Sequence, residues 1–280
     1  MSAPFGTIAI VGLGLIGSSI ARAVRQALPD TRILGYDRSA DVCARAQAIG
    51  LCDGYNAGFG PELASAEMVI LCVPVGAMAA AATAMAPHLS PDTIISDVGS
   101  CKASVLTALR SVLPEAVIVP AHPVAGTENS GPEAGFASLF KGRWCILTPD
   151  DGADAAACER VAAFWQALGA NVETMEAAHH DLVLAVTSHL PHLIAYTIVG
   201  TASDLEGVTQ SEVIKYSAGG FRDFTRIAAS DPVMWRDVFL SNKDAVLEML
   251  QRFSEDLSAL QRAIRWDKGD ELEALFTRTR

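Results

Sequence analysis

An α/β fold, a doubly wound parallel sheet followed by an all-helical domain, is predicted by three features of this 280-residue chain. Up to about residue 175, short β-branched runs alternate with helical stretches. A glycine turn follows the first of those runs and opens a helix. After Glu176 only helical periodicity remains. Strand then helix, repeated, implies a parallel sheet covered on both faces, because each crossover lays a helix on the sheet. The predicted domains are residues 1–175 and 176–280, a division that suits a chain longer than the usual single domain.

The elements follow in order. Strands are expected at residues 8–11, 32–36, 68–72, 93–97, 116–120, 145–147 and 171–174. The longest apolar stretch, residues 66–86, is opened by Glu67 and broken by Pro74, so it reads as a buried strand and an alanine-rich helix, not a membrane span. Asp231 and Pro232 supply an N-cap and a first-turn proline for a helix over 233–240. Val246, Met249, Leu250, Phe253, Leu257, Leu260 and Ile264 recur at spacings of three and four, one apolar stripe of a long helix. Roughly 100 helical residues make a small independent core, so this part is expected to pack on a second copy as a homodimer. No glycine-serine linker separates the domains, which should be tightly joined.

Composition excludes several classes. A formal charge of −11 repels nucleic-acid backbones, so any anionic substrate must be captured by a few placed cations. The opening Met1-Ser2-Ala3-Pro4-Phe5-Gly6 has no basic region, which points to a cytoplasmic protein without membrane attachment. Cys43, Cys52, Cys72, Cys101, Cys145 and Cys158 show no CxxC or finger spacing, so reduced, mostly buried thiols are expected.

The glycine turn, Gly12-Leu13-Gly14-Leu15-Ile16-Gly17, marks a Rossmann-type dinucleotide site. Gly12 permits the tight turn, Gly14 lets a pyrophosphate approach the backbone, and Gly17 lets the helix pack close to the sheet. Asp37 ends the second strand, where a carboxylate bonds the ribose 2′-hydroxyl of NAD and repels the phosphate of NADP. Arg38 and Ser39 beside it leave NADP or dual use open, and Asp37 could instead be a solvated turn residue.

Ligands of open parallel sheets sit beyond the carboxyl ends of the strands. There the sequence places Val73-Pro74-Val75, then Asp97, Gly99, Ser100 and Lys102, then His122, Thr127 and Glu128. An imidazole at His122 suits proton removal from an alcohol being oxidised, but it could also be a turn histidine. Ser100 could equally cap a helix that begins near Lys102. His189 and His192 have Pro191 between them and no third ligand at metal spacing, so no metal is expected.

GLGLIGSSIA, the loop DVGSCK ending at Lys102, HPVAGTENSG from His122, TSHLPH from Thr187 and GGFRDFTRIAASDP from Gly219 together resemble the prephenate and arogenate dehydrogenase family of tyrosine biosynthesis. The blocks run in order over nearly the whole chain, and no generic nucleotide-binding domain requires the last two. The resemblance implies an NAD-linked oxidative decarboxylation of a cyclohexadienol, prephenate or arogenate. On it, His122 is the base, Ser100 aligns the reacting hydroxyl, and Arg226 binds the ring carboxylate. Glu128 and Asp223 pair with that arginine, and Thr127, His189, His192 and Trp235 line the substrate cleft. Gly12, Gly14, Leu15, Ile16, Gly17, Asp37, Arg38, Val73 and Pro74 hold the cofactor. His180-Asp181 reads as structural. Two rival readings are a β-hydroxyacid dehydrogenase using Lys215 and a nucleotide-binding regulator without turnover; no residue identified separates prephenate from arogenate.

Overall fold

A computed structural model describes residues 3–209, Lys215 and residues 218–280. Its first sheet has six parallel strands: β1 (Thr7–Val11), β2 (Arg32–Tyr36), β3 (Gly54–Asn56), β4 (Met68–Leu71), β5 (Ile94–Asp97) and β6 (Val117–Ile118). Their order, β3-β2-β1-β4-β5-β6, reverses direction of growth between β1 and β4, which opens a crevice above β1. Alternation within each strand feeds both faces. Ile8, Ile10, Met68 and Ile70 enter one apolar cluster, and Ala9, Val11, Val69 and Leu71 enter the other.

Helices cover both faces. On the first, α1 (Leu15–Ala27) contributes Ile20 and Val24, and α5 (Ala155–Ala167) contributes Val161, Phe164 and Trp165. Between them in sequence, α2 (Ala40–Ala48) follows Asp37. On the second face, α3 (Met78–Met85) and α4 (Ala103–Val112) bury Met78, Ala82, Met85, Val105 and Leu109. The apolar run over 66–86 thus divides into β4 and α3, with Pro74 ahead of a short turn between them.

The single sheet expected from the sequence is in fact two. β7 (Ala121–Pro123), β8 (Trp144–Leu147) and β9 (Asn171–Thr174) form a separate three-stranded sheet, with β7 antiparallel to β8 and β8 parallel to β9. The run expected over 116–120 is a strand only at β6, and the chain then turns into β7. His122 therefore sits inside a strand, opposite Ile146, and not in a loop beyond one. Pro123 is tolerated because β7 is an edge strand.

From Ala177 the described chain is helical. α6 (Ala177–Leu184) passes through a π turn (Ala185–His189) into α7 (Leu190–Thr209). α8 (Gly219–Thr225) and a 3₁₀ turn (Arg226–Ala229) lead to α9 (Pro232–Ser241), α10 (Lys243–Arg265) and α11 (Gly269–Thr279). At the start of α9 the Asp231 carboxylate accepts from Met234 N at 2.7 Å, the cap that Asp-Pro implies. Trp235 and Val238 of α9 are buried on Cys101, with Val75 packed beside them. This joint fixes the helical domain on the loops that follow β4 and β5.

Candidate active site

The glycine turn owes its shape to steric necessity. Gly12 has φ of +100°, and a Cβ there would lie 2.6 Å from Cys72 O. A Cβ at Gly17 would lie 2.0 Å from Gly12 O, whereas one at Gly14 would meet nothing within 4 Å. Two glycines thus close the turn, and the third leaves its outer side open. No side chain caps α1 and no acid lies in its first turn, so its amides face that open side. Asp37 accepts from Leu13 N (3.0 Å) and Ser39 N (2.9 Å), which holds its carboxylate at the end of β2. These residues fit a dinucleotide: amides for a pyrophosphate and an acid for a ribose. Leu15 and Ile16 open α1 half-buried, Val73 is half-buried before the exposed Pro74, and Arg38 is exposed.

The next segment ties the loop after β7 to α1. Gly135 packs so closely on α1 that a Cβ would lie 2.2 Å from Ser18 Oγ, and Phe136 N donates to Ser19 Oγ at 3.1 Å. Arg45 of α2 grips Glu133 with two nitrogens. The exposed Thr127 and Glu128 lie on the loop that these contacts anchor.

His122 lies at one end of a buried polar chain. Its Nδ1 is 2.8 Å from His180 Nε2, and His180 Nδ1 is 2.8 Å from Asp181 Oδ1. Asp181 also accepts from Lys102 N (2.7 Å) and Ala103 N (3.0 Å), the first amides of α4. That answers one open question: Ser100 does not cap α4, because Asp181 does. Ser100 remains half-buried on the same loop, two residues from the cap. Lys102, fully buried, pairs with Asp97 and donates to Ala121 O at 2.7 Å, which fixes the strand that carries His122. Burial, with His180, Lys102 and His189 nearby, holds the His122 pKa well below that of a free histidine. The ring is therefore neutral at pH 7 and able to accept a proton.

A second group of rings adjoins it. His189 ends the π turn, a helix irregularity common at functional sites, and has no exposed surface. Asn242 Nδ2 donates to Asp181 O at 2.7 Å and lies 3.1 Å from His189 Nδ1. Because that nitrogen of Asn242 is a donor, His189 accepts at Nδ1 and carries its proton at Nε2. His189 Nε2 and Trp235 Nε1 are both buried without a hydrogen-bond partner among the described residues. Two unmatched donors in one ring cluster suit an anionic oxygen. His192 stacks on Trp235 with centroids 3.7 Å apart and uses Nδ1 toward Ser188 O.

Burial also lowers the His189 pKa, to about 4. The unfolded chain titrates near the free value, so stability from neutral His189 is complete above about pH 6.5 and is lost as pH falls toward 4. The loss amounts to about 3 kcal/mol, and His122 adds to it in the same direction. Thermal midpoints measured across that range are expected to fall steadily on acidification; a flat profile would contradict a buried neutral pair.

Arg226 begins the 3₁₀ turn after α8, and its Nη1 lies 3.3 Å from Glu128 Oε2. Both side chains are exposed. Asp223 is exposed three residues earlier, and no ion pair joins it to Arg226 among the described residues. Lys215 is helical and exposed; most of its neighbours lie outside the described residues.

Sequence reading missed His180, Asp181 and Asn242 as parts of the site, and placed Lys102 beside it without a role. His180 and Asp181, read as structural, are the direct partners of His122 and of the Ser100 loop. Adjacent histidine and aspartate carry no local signal, since their partners lie 58 and 79 residues away.

The family described as "Prephenate dehydrogenase, nucleotide-binding domain" matches residues 20–174, and "Prephenate dehydrogenase, dimerization domain" matches 176–278. The chain is 48% identical to a cyclohexadienyl dehydrogenase of Zymomonas mobilis, over 96% of this chain and 92% of that one. It is similar to the crystal structure of A. aeolicus prephenate dehydrogenase in complex with hydroxyphenyl propionate and NAD+, at TM-score 0.90 and 34% identity, covering 100% and 96% of the two chains. It is also similar to Synechocystis arogenate dehydrogenase, at TM-score 0.82 and 26% identity, covering 98% and 97%. A dinucleotide cradle, a neutral buried imidazole and matches along both halves lead to one conclusion: the chain belongs to the prephenate dehydrogenase family.

Proposed function

We propose that the chain is an NAD-dependent cyclohexadienyl dehydrogenase that converts prephenate or arogenate, with loss of CO₂, into 4-hydroxyphenylpyruvate or tyrosine. The observation that carries this reading is His122: buried, neutral, and bonded through Nδ1 to His180. NAD, held by Gly12, Gly14, Gly17 and Asp37, supplies the hydride acceptor. His122 takes the ring-hydroxyl proton at Nε2 as the ring carbon is oxidised, and returns it to the phenolate oxygen once the carboxyl group has left. Ser100 holds that hydroxyl in line. The unpaired donors of His189 and Trp235 receive substrate oxygen, with His192 fixed by stacking on Trp235. Thr127, exposed on the loop after β7, contributes a hydroxyl to the substrate cleft in this reading.

Arg226 takes the ring carboxylate with its planar guanidinium, and Glu128, with Asp223 nearby, holds the arginine until substrate arrives. Arg226→Ala is expected to raise the Michaelis constant about tenfold or more with kcat within a few-fold, because the contact exists in the ground state. Steady-state kinetics decides it, and a fall confined to kcat would remove the anchoring role.

A homodimer through the helical domain accompanies this reading. Leu240, Leu247, Ile264, Trp266 and Phe276 are all more than half exposed. Only 22% of the most apolar stretch within Ala177–Asp204 is buried within one chain. A second copy covering these faces accounts for both. All six cysteines are free, which suits a reducing cytoplasm.

The test is NADH formation with prephenate, arogenate, hydroxyisobutyrate and 6-phosphogluconate in parallel. NADH from either cyclohexadienol, and not from the hydroxy acids, is expected. Cofactor binding with no substrate-dependent NADH would overturn the proposal.

A further inference from the structure

The chain from His122 to Asp181 has only one consistent set of protons. The Asp181 carboxylate takes one backbone amide on each oxygen at the N-terminus of α4, so both oxygens act as acceptors. An ionised carboxylate has no proton to give, so His180 Nδ1 donates to it at 2.8 Å. Neutral His180 then has its lone pair at Nε2. His122 Nδ1, 2.8 Å away, must be the donor, which leaves the His122 lone pair at Nε2. The reverse arrangement requires a protonated Asp181 or a cationic His180 with no exposed surface.

We propose that His180 and Asp181 are positioning residues that set the tautomer of His122 and take up the charge it acquires when it accepts the substrate proton. This rests on His122 being the base. As the hydroxyl proton forms a bond to His122 Nε2, the Nδ1 proton moves toward His180 Nε2. The cation thereby approaches the Asp181 carboxylate. No proton leaves the three residues until the phenolate takes one back, so the step is balanced. The same carboxylate caps α4, so one residue of the helical domain fixes both the base and the loop that bears Ser100.

The charged and titratable groups around the chain fit this role. Lys102 lies beside His122, but its charge is paired with Asp97. His189 is neutral, and the Cys145 and Cys101 thiols are pushed up by burial. Asp181 is then the anion bonded directly into the histidine chain.

Two experiments test the proposal. Nitrogen-15 NMR of histidine rings in the wild-type dimer with NAD reads the tautomers directly. Protons on Nδ1 of both His122 and His180 are expected; a proton on Nε2 of His122 would overturn the proposal, whatever any variant does. In Asp181→Asn, kcat should fall about 10²-fold or more with substrate KM within about threefold. The acid limb of kcat/KM should move down by about one pH unit. His180→Gln should show the same loss in kcat. A role confined to capping α4 would lower the melting temperature and leave the acid limb in place, which would refute the charge-sharing role. Near-normal activity of His122→Asn would instead defeat the underlying assignment of the base, so the two failures are distinguishable.

Discussion

His122→Asn is expected to lower kcat by about 10²-fold or more while substrate affinity stays near that of the wild type. The asparagine fills much of the same space and can still bond His180, so strand β7 and the pocket wall persist. What disappears is a neutral nitrogen able to take a proton at the moment of oxidation. The neutral state is secured by burial, which holds the imidazole pKa well below its free value. Rapid mixing with saturating NAD separates the chemical step from product release. A variant of near wild-type rate would remove His122 from the mechanism.

Lys102→Ala is expected to cost about 3–5 kcal/mol of stability, because it leaves the Asp97 carboxylate buried without its cation. Neither side chain has any exposed surface, so water cannot take the lysine's place without the site opening. The Ala121 carbonyl also loses its bond at the base of β7. A shift of the urea midpoint at unchanged slope measures the cost. The double variant Asp97→Asn with Lys102→Met should recover much of it, since both buried charges are then gone. A single variant within about 1 kcal/mol of wild type would mean that Asp97 is not ionised in the fold.

Local patterns in the sequence carry the parallel sheet, the glycine turn and the Asp-Pro start of α9. Each depends on spacing within about ten residues: period-two burial in β1 and β4, or a cap at Asp231. The second sheet is less legible. β7 is three residues long, contains Pro123, and exists because β8 pairs with it. β3, Gly54–Asn56, lacks any β-branched residue and forms on the edge of β2. At the site, sequence alone leaves His122 open between base and turn residue, and Ser100 between catalysis and capping. Long-range hydrogen bonds resolve the capping question and reveal His180, because nothing in the residues flanking either histidine encodes a partner on another domain.

A crystal structure of the ternary complex with NAD and a 4-hydroxyphenyl ligand tests the central claim most directly. The account predicts His122 Nε2 within about 2.6–3.2 Å of the ligand hydroxyl and on the nicotinamide side of the ring. An imidazole turned away from the hydroxyl, with Nε2 bonded to protein instead, would contradict it.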